Sequence, residues 1–326
     1  MTSTEPHPAI GALDQLQPSK PHAFDPSADI PSLNGKNILI TGANSGIGKQ
    51  TAVELAKHNP AQIWIAARNE QSGLEAVQDV KKTGSSVDVR FVSLELTSFE
   101  SIKAAAKIVL AEAAQLDLLM LNAGIMGGPP GVTVEGYELA FGTNHVGHAL
   151  LFDMLVPLLT KSAETSATKP RVVSVSSRGH AFEVPPGGIA FSTLKSTQSD
   201  LSGVTRYTQS KLANVVYARE IARHHPSIIS VAIHPEDVAT QLFDKGVQGG
   251  GPEIEYLARE VAPRVGVSLE EGVKNGLWAM TSDDVQSGRY YEPVGVLGKG
   301  SALSRDRELG EKLWKWTQEE LGSQVV

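Results

Sequence analysis

The chain has 326 residues, 41% hydrophobic and 20% charged, the composition of an ordinary globular protein with room for one large domain or two small ones. Its 29 basic and 36 acidic side chains leave a net charge of −7, so no basic surplus exists to neutralise a phosphate backbone, and nucleic acid is not an expected partner. The absence of cysteine removes disulfides, thiolate catalysis and cysteine-ligated metals, and no uninterrupted apolar run approaches the about 18 residues of a membrane span.

Residues 1–33 are rich in Pro, Ser, Thr and Asp, lack an apolar leader, and are expected to form an arm that packs on the surface or stays mobile. A single domain over 34–326 follows. Short apolar runs at Asn37–Ile40, Ile63–Ala66, Val87–Leu96, Leu116–Leu121, Arg171–Ser176 and Ile228–Ile233 read as strands, with Ser287–Pro293 as the last. Between them, Ile47–His58, Glu70–Lys82, Ser98–Ala114, Gly136–Thr160 and Tyr207–His224 carry helical patterns. This alternation predicts a doubly wound α/β fold of Rossmann type, because parallel strands need crossover helices on both faces.

Directly after the first strand comes Thr41-Gly42-Ala43-Asn44-Ser45-Gly46-Ile47-Gly48, followed by a helix. That order aims backbone N–H groups and a helix N-terminus at a pyrophosphate. Gly42 allows the tight turn, Gly46 the approach of phosphates, and Gly48 close packing of helix on strand. The second strand then ends on Arg68, where a ribose-reading carboxylate is expected for NAD. A guanidinium there suits the 2′-phosphate of NADP(H), with Lys49 as a further source of charge; the competing reading of Arg68 is a solvated loop residue.

Further along, Asn122-Ala123-Gly124 and Ser176-Ser177 end two strands at the edge where open α/β sheets bind ligands, and Asn144 falls in the helical stretch between them. Tyr207 and Lys211 lie four residues apart and share one helix face. A free phenol titrates near ~10, and a neighbouring ammonium, with the added positive charge of an oxidised nicotinamide, is expected to lower that value toward the working range.

The motifs TGANSGIG, LNAG, the helix asparagine, VSVSS and YTQSK, in this order, resemble the short-chain dehydrogenase/reductase family over residues 34–293. The phrasing FDPSADIPSLNGKNILITGANSGIG is similar to its retinol-dehydrogenase-like and WW-domain-oxidoreductase-like branch, fungal members in particular. The resemblance implies that Tyr207 is the acid–base group, Lys211 the residue that lowers its pKa and holds the nicotinamide ribose, and Ser177, rather than Ser176, the one that binds the substrate oxygen. Asn144 matches an asparagine that orders a water linking the lysine to solvent. Gly42, Asn44, Ser45, Gly46, Ile47 and Gly48 match the pyrophosphate turn, and Asn122, Ala123 and Gly124 the segment along the adenosine ribose. Glu95, followed by Leu96, sits where the family has an aspartate contacting adenine. Pro235, Val238 and Thr240 match the segment beside the nicotinamide carboxamide, except that Glu236 replaces the family's glycine.

If Glu236 adopts a positive φ, it adds strain of order 1–2 kcal/mol. It either points to solvent or faces the substrate as a selective carboxylate. The excursion between Ser177 and Tyr207 and the stretch 241–264 are each a pocket lid or a passive loop, with Leu242, Phe243 and Tyr256 forming the apolar inner face of the second. His145, His148, Trp314 and Trp316 read as packing residues, and no metal site is expected.

The expectation is therefore a cytoplasmic NADP(H)-dependent oxidoreductase that moves a hydride between nicotinamide and a carbonyl or alcohol carbon. It would reduce a ketone or aldehyde of a small to medium, moderately hydrophobic compound, a secondary metabolite among the candidates. A homo-oligomer is expected from the family. The alternatives are a biosynthetic enzyme using the same scaffold for a cyclisation or dehydration, and a non-catalytic NADP(H)-binding sensor.

Overall fold

A computed structural model describes residues 22–83, 86–238, 251–256, 259–260, 264 and 266–324. Seven strands, β1 (Asn37–Thr41), β2 (Gln62–Ala67), β3 (Asp88–Ser93), β4 (Leu118–Leu121), β5 (Arg171–Val175), β6 (Ile229–Ile233) and β7 (Tyr290–Tyr291), form one sheet in the order β3-β2-β1-β4-β5-β6-β7. Every neighbouring pair is parallel. In β1, β2, β4 and β5 each residue is buried, as strands covered on both faces must be, whereas the edge strand β3 is exposed at its ends. The expected third strand was longer; residues after Ser93 leave the sheet toward the ligand edge.

The crossovers are α1 (Gly46–Ala56), α2 (Glu70–Lys81), α3 (Phe99–Glu112), α4 (Gly147–Thr165) and α5 (Gly203–His224), followed by α6 (Lys274–Thr281) and α7 (Arg307–Leu321). Side-chain hydroxyls, amides and carboxylates close the helix starts: Asn69 accepts from Ser72 N–H, Ser98 from Ser101 N–H, Ser202 from Thr205 N–H, and Asp306 from Glu308 and Leu309 N–H. Successive strand residues face opposite sides. Leu39, Trp64, Leu119, Leu121 and Val172 therefore pack with α3, α4, α5 and α7, while Ile38, Ile40, Ile63, Ile65, Met120 and Val173 pack with α1, α2 and α6. The result is a Rossmann-type, doubly wound α/β sheet in a single domain.

Of the expected arm, residues 22–33 are described and packed: Phe24, Ile30 and Leu33 are buried in the second of these clusters. Helix α5 starts one turn before Tyr207, so the phenol is carried inside the helix rather than at its end. The stretch expected as a helix over 136–160 is broken locally. A π-helical turn, Gly142–Val146, precedes α4 and holds Asn144. Leu139–Thr165 is long and apolar enough by composition to cross a membrane, although most of it is buried in the core. Trp314 stacks on Tyr217 and His224, and Trp316 meets Tyr137 and Phe141 edge-on, so both tryptophans are packing residues.

Candidate active site

At the C-terminal end of β1 the chain turns back on itself, with Gly42 at φ 67° and Gly46 at φ 53°, conformations that glycine adopts at little cost. A Cβ on Gly48 would stand 2.6 Å from Asn122 Nδ2 and 2.7 Å from the Gly42 carbonyl, so α1 reaches this close only without one. Ser45 opens α1 in an extended conformation, and its hydroxyl makes no capping bond to the helix. The first N–H groups of α1 therefore depend on another acceptor, and an anion such as a pyrophosphate meets that need. Ile47 packs inward on the core. Asn44 donates to Ser72 Oγ at 3.0 Å, tying the turn to the start of α2.

Beside this cradle, Thr41 Oγ1 accepts from Asn122 N–H (2.9 Å) and Ala123 N–H (3.0 Å), and Asn122 Nδ2 donates to the Thr41 carbonyl (2.7 Å). The ends of β1 and β4 are thus bonded into one wall. Arg68 stands at the end of β2, 73% exposed, with its Nε 3.3 Å from Glu95 Oε2. The two residues expected at the adenosine end are brought together. Leu96 lies with its side chain buried in the core, which leaves only its backbone for a ligand. Lys49 Nζ pairs with Asp79 of α2 at 2.6 Å. Together with Lys82 it holds that carboxyl down to about 2.

Tyr207, Ser177, Lys211 and Asn144 converge at the ends of β4 and β5. Ser177 stands near the Tyr207 phenol, and its hydroxyl pulls the phenol pKa down. Burial outweighs it, and with Asp237 nearby the phenol stands at about 12. The expected lowering by Lys211 is thus not realised by the protein's own groups, because desolvation dominates. Lys211 Nζ sits 5.7 Å from the Tyr207 ring centre and donates to the Val175 carbonyl at 3.0 Å. Burial pulls its ammonium down to about 8. The two serines divide their work. Ser176 Oγ donates to the Lys211 carbonyl at 2.7 Å and is fully buried, while Ser177, half-buried, accepts from Gly179 N–H and faces the phenol.

Asn144 grips the segment after Gly124: its Oδ1 accepts from Ile125 N–H (2.9 Å), and its Nδ2 donates to the Ile125 carbonyl (3.0 Å) and Ser210 Oγ (2.9 Å). A Cβ on Gly124 would lie 3.1 Å from Asn144 Oδ1 and 3.4 Å from Lys211 Nζ, which places this segment against the lysine.

The segment after β6 holds the departure. Glu236 adopts φ 63°, the glycine conformation; its carboxylate is half-buried, with Oε2 turned to Arg178 and Oε1 buried without a hydrogen-bond partner among the described residues. Arg178 Nη2 binds Glu236 Oε2 at 2.9 Å, with Asp237 Oδ2 3.4 Å from Nη1, Glu292 Oε1 3.3 Å from Nε, and His234 Nε2 accepting from Nε at 2.9 Å. Burial raises all three carboxyls, and Arg178 opposes the rise. Pro235 and Val238 are buried alongside; Thr240 lies outside the described residues. So do Leu242 and Phe243 of the second expected lid. Within its described residues, the short helix Pro252–Tyr256 buries Ile254 against Met126 and Tyr207 and leaves Tyr256 exposed, so Ile254 and not Tyr256 faces inward there. The excursion before Tyr207 is anchored: Ile189 and Leu194 are buried in the core, and Glu183 Oε1 accepts from Ser202 and Thr205.

Sequence reasoning missed Arg178 and Ile254. Arg178 follows the paired serines directly, but its partners lie far along the chain, at 234, 236, 237 and 292; Ile254 sits in too short a helix to show a pattern.

The family description for short chain dehydrogenases matches residues 36–249. A short-chain dehydrogenase/reductase of Armillaria gallica is 33% identical over 95% of this chain and 97% of its own length. Human retinol dehydrogenase 11 is 36% identical over 89% of this chain and 87% of its own. Among solved structures, an NADPH-bound carbonyl reductase from chicken fatty liver superposes with a TM-score of 0.56 and 25% identity, covering 79% of this chain and 96% of that one.

Proposed function

This chain belongs to the short-chain dehydrogenase family, and from that premise we propose that it is an NADP(H)-dependent oxidoreductase reducing a ketone or aldehyde to an alcohol. The observation that carries the reading is the meeting of Tyr207 with Ser177, beside Lys211, on the sheet edge that also holds the glycine cradle. Bound NADPH supplies the hydride to the carbonyl carbon. Ser177 hydrogen-bonds the carbonyl oxygen, Tyr207 donates its phenol proton to that oxygen, and the Lys211 ammonium stabilises the phenolate left behind. Asn144 holds Gly124 and Ile125 against Lys211 and so fixes the lysine's surroundings.

The turn Gly42 to Gly48 and the start of α1 would hold the pyrophosphate, and Asn122, Ala123 and Gly124 the ribose. Arg68 would take the 2′-phosphate. Its pair with Glu95 is solvent-exposed and so weakly held that a dianionic phosphate competes well for the guanidinium. The NADPH in the chicken carbonyl reductase supports this choice. Ile254 and Met126 beside the phenol favour a moderately hydrophobic substrate, a secondary metabolite being in keeping with that. A cytoplasmic location is part of the proposal. Glu236, the carboxylate that a non-redox step on this scaffold would call on, has its Oε2 held by Arg178.

Turnover of a ketone and aldehyde panel, followed by nicotinamide absorbance, tests the reading. NADPH should outperform NADH, the preference should narrow in Arg68→Ala, and Tyr207→Phe should lose on the order of 10³-fold in kcat. Full activity in Tyr207→Phe, or tight cofactor binding without turnover of any carbonyl, rejects it.

A further inference from the structure

His148, one turn after Asn144, is 3% exposed and lies between the cradle and the lysine. Its Nδ1 stands 3.0 Å from the Asn144 carbonyl, which can only accept, so Nδ1 carries the proton. Burial and the neighbouring Lys211 ammonium push the ring down to about 4, and a neutral ring with Nδ1–H has a bare Nε2. That Nε2 is 2.9 Å from Thr41 Oγ1, so the Thr41 hydroxyl donates to it. Both lone pairs of the same oxygen are taken by Asn122 and Ala123 N–H, and among the described residues the Met120 carbonyl, at 3.4 Å, is its only other acceptor. A one-way chain of hydrogen bonds therefore runs from the wall of the cradle, through the imidazole, to the π-helical turn that carries Asn144.

We infer that His148 is a positioning residue with two separable tasks: through Nε2 it sets Thr41 and the nucleotide cradle, and through Nδ1 it sets Asn144 beside Lys211. The second task rests on the oxidoreductase reading; the first requires only that the cradle binds a nucleotide. A leucine of similar volume would occupy the ring's place but offer neither a donor to the Asn144 carbonyl nor an acceptor to the Thr41 hydroxyl.

The amide nitrogen of an asparagine falls near the place of Nδ1, and the amide oxygen of a glutamine near that of Nε2. His148→Asn thus keeps a donor for the Asn144 carbonyl, and His148→Gln keeps an acceptor for Thr41. The measurements are NADP+ dissociation constants by calorimetry, kcat on the best carbonyl substrate, and thermal midpoints, on the full chain. We expect His148→Leu to lose about tenfold in both affinity and kcat, the scale of one buried hydrogen bond each. The two amide variants should cross: Kd rises more in His148→Asn, and kcat falls more in His148→Gln. Parallel changes in both quantities across the three variants, or parental values in His148→Leu, overturn the inference. If His148→Leu does not fold, the crossing of the two amide variants decides alone. A parent chain that binds NADP+ without turnover refutes the oxidoreductase reading, and the inference then stands or falls on the order of the dissociation constants.

Discussion

Around the ends of β1 and β2 the site is built from backbone and glycine, with its charges at the rim in water. Around the ends of β5, β6 and β7 it is built from crowded, half-buried charge. Arg68 is 73% exposed and has one carboxylate within reach; Arg178 is 21% exposed and binds three carboxylates and a histidine drawn from two other strand ends. The contrast separates two ways of holding a charge near a ligand. A solvated pair costs little to break, so an incoming phosphate can take over the guanidinium. An interlocked cluster cannot be opened without leaving buried charge unpaired, so it serves to shape the wall and not to receive a ligand.

The sharpest break of the first region is Gly48→Ala. The added methyl would meet Asn122 Nδ2 at 2.6 Å and the Gly42 carbonyl at 2.7 Å, and neither neighbour is a flexible chain end. Cofactor affinity should fall on the order of 100-fold as α1 is pushed off β1, with overpacking lowering stability by about 1–3 kcal/mol. Calorimetric titration with NADP+ and a urea melt read the two losses. An alanine chain that binds as the parent does would mean that the cradle has slack the geometry does not show.

The matching break of the second region is Arg178→Met, which keeps the stem and removes the guanidinium. Roughly 2–3 kcal/mol of stability should go, because Glu236, Asp237 and Glu292 lose their shared counter-charge. The pH dependence has a definite sign. Burial raises these carboxyls above their unfolded values of 4.5, 3.8 and 4.5, and Arg178 is what limits the rise. Acids with raised folded pKa values contribute stability that is present below the unfolded pKa and lost as pH rises through the folded one. The deficit of Arg178→Met against the parent should therefore be smallest in acid and widen toward neutral pH. His234 works in the same direction, since Arg178 holds its pKa down. Urea midpoints of both chains across that range give the answer, and a deficit independent of pH would show that the cluster is held by packing alone.

The two regions also differed in how far they could be read from the chain. Local patterns carried the first: strand, glycine turn and helix are contiguous, and Gly42, Gly46 and Gly48 stand where a positive φ or a missing Cβ is needed. Tyr207 and Lys211 were legible for the same reason, because four residues on a helix fix a shared face. Arg178 was not, since its partners at 234, 236, 237 and 292 meet it only once β5, β6 and β7 are aligned. The pair of Lys49 with Asp79 was not legible either, because residue spacing says nothing about a carboxylate that reaches it from the next helix. The phenol's upward shift was missed because burial is a property of the packed fold and not of the Tyr–Lys pair.

The smallest effect tests the comparison most finely. Glu236 holds φ 63°, where a non-glycine residue costs about 1–2 kcal/mol, and Glu236→Gly removes that strain. It also removes one arm of the Arg178 cluster, worth about the same when a half-buried, charge-assisted hydrogen bond is lost. Asp237 and Glu292 remain to pair the guanidinium, so no charge is stranded. The two terms oppose each other, and the net change should stay within about 1 kcal/mol. Its size should depend on pH: near neutrality the variant gains, because one of three mutually repelling carboxylates is gone, and below the carboxylate range that part of the gain fades. Urea midpoints on both sides of the range measure it. A glycine chain that loses several kcal/mol, as Arg178→Met should, would mean that Glu236 is the keystone of the cluster and that Asp237 and Glu292 are bystanders.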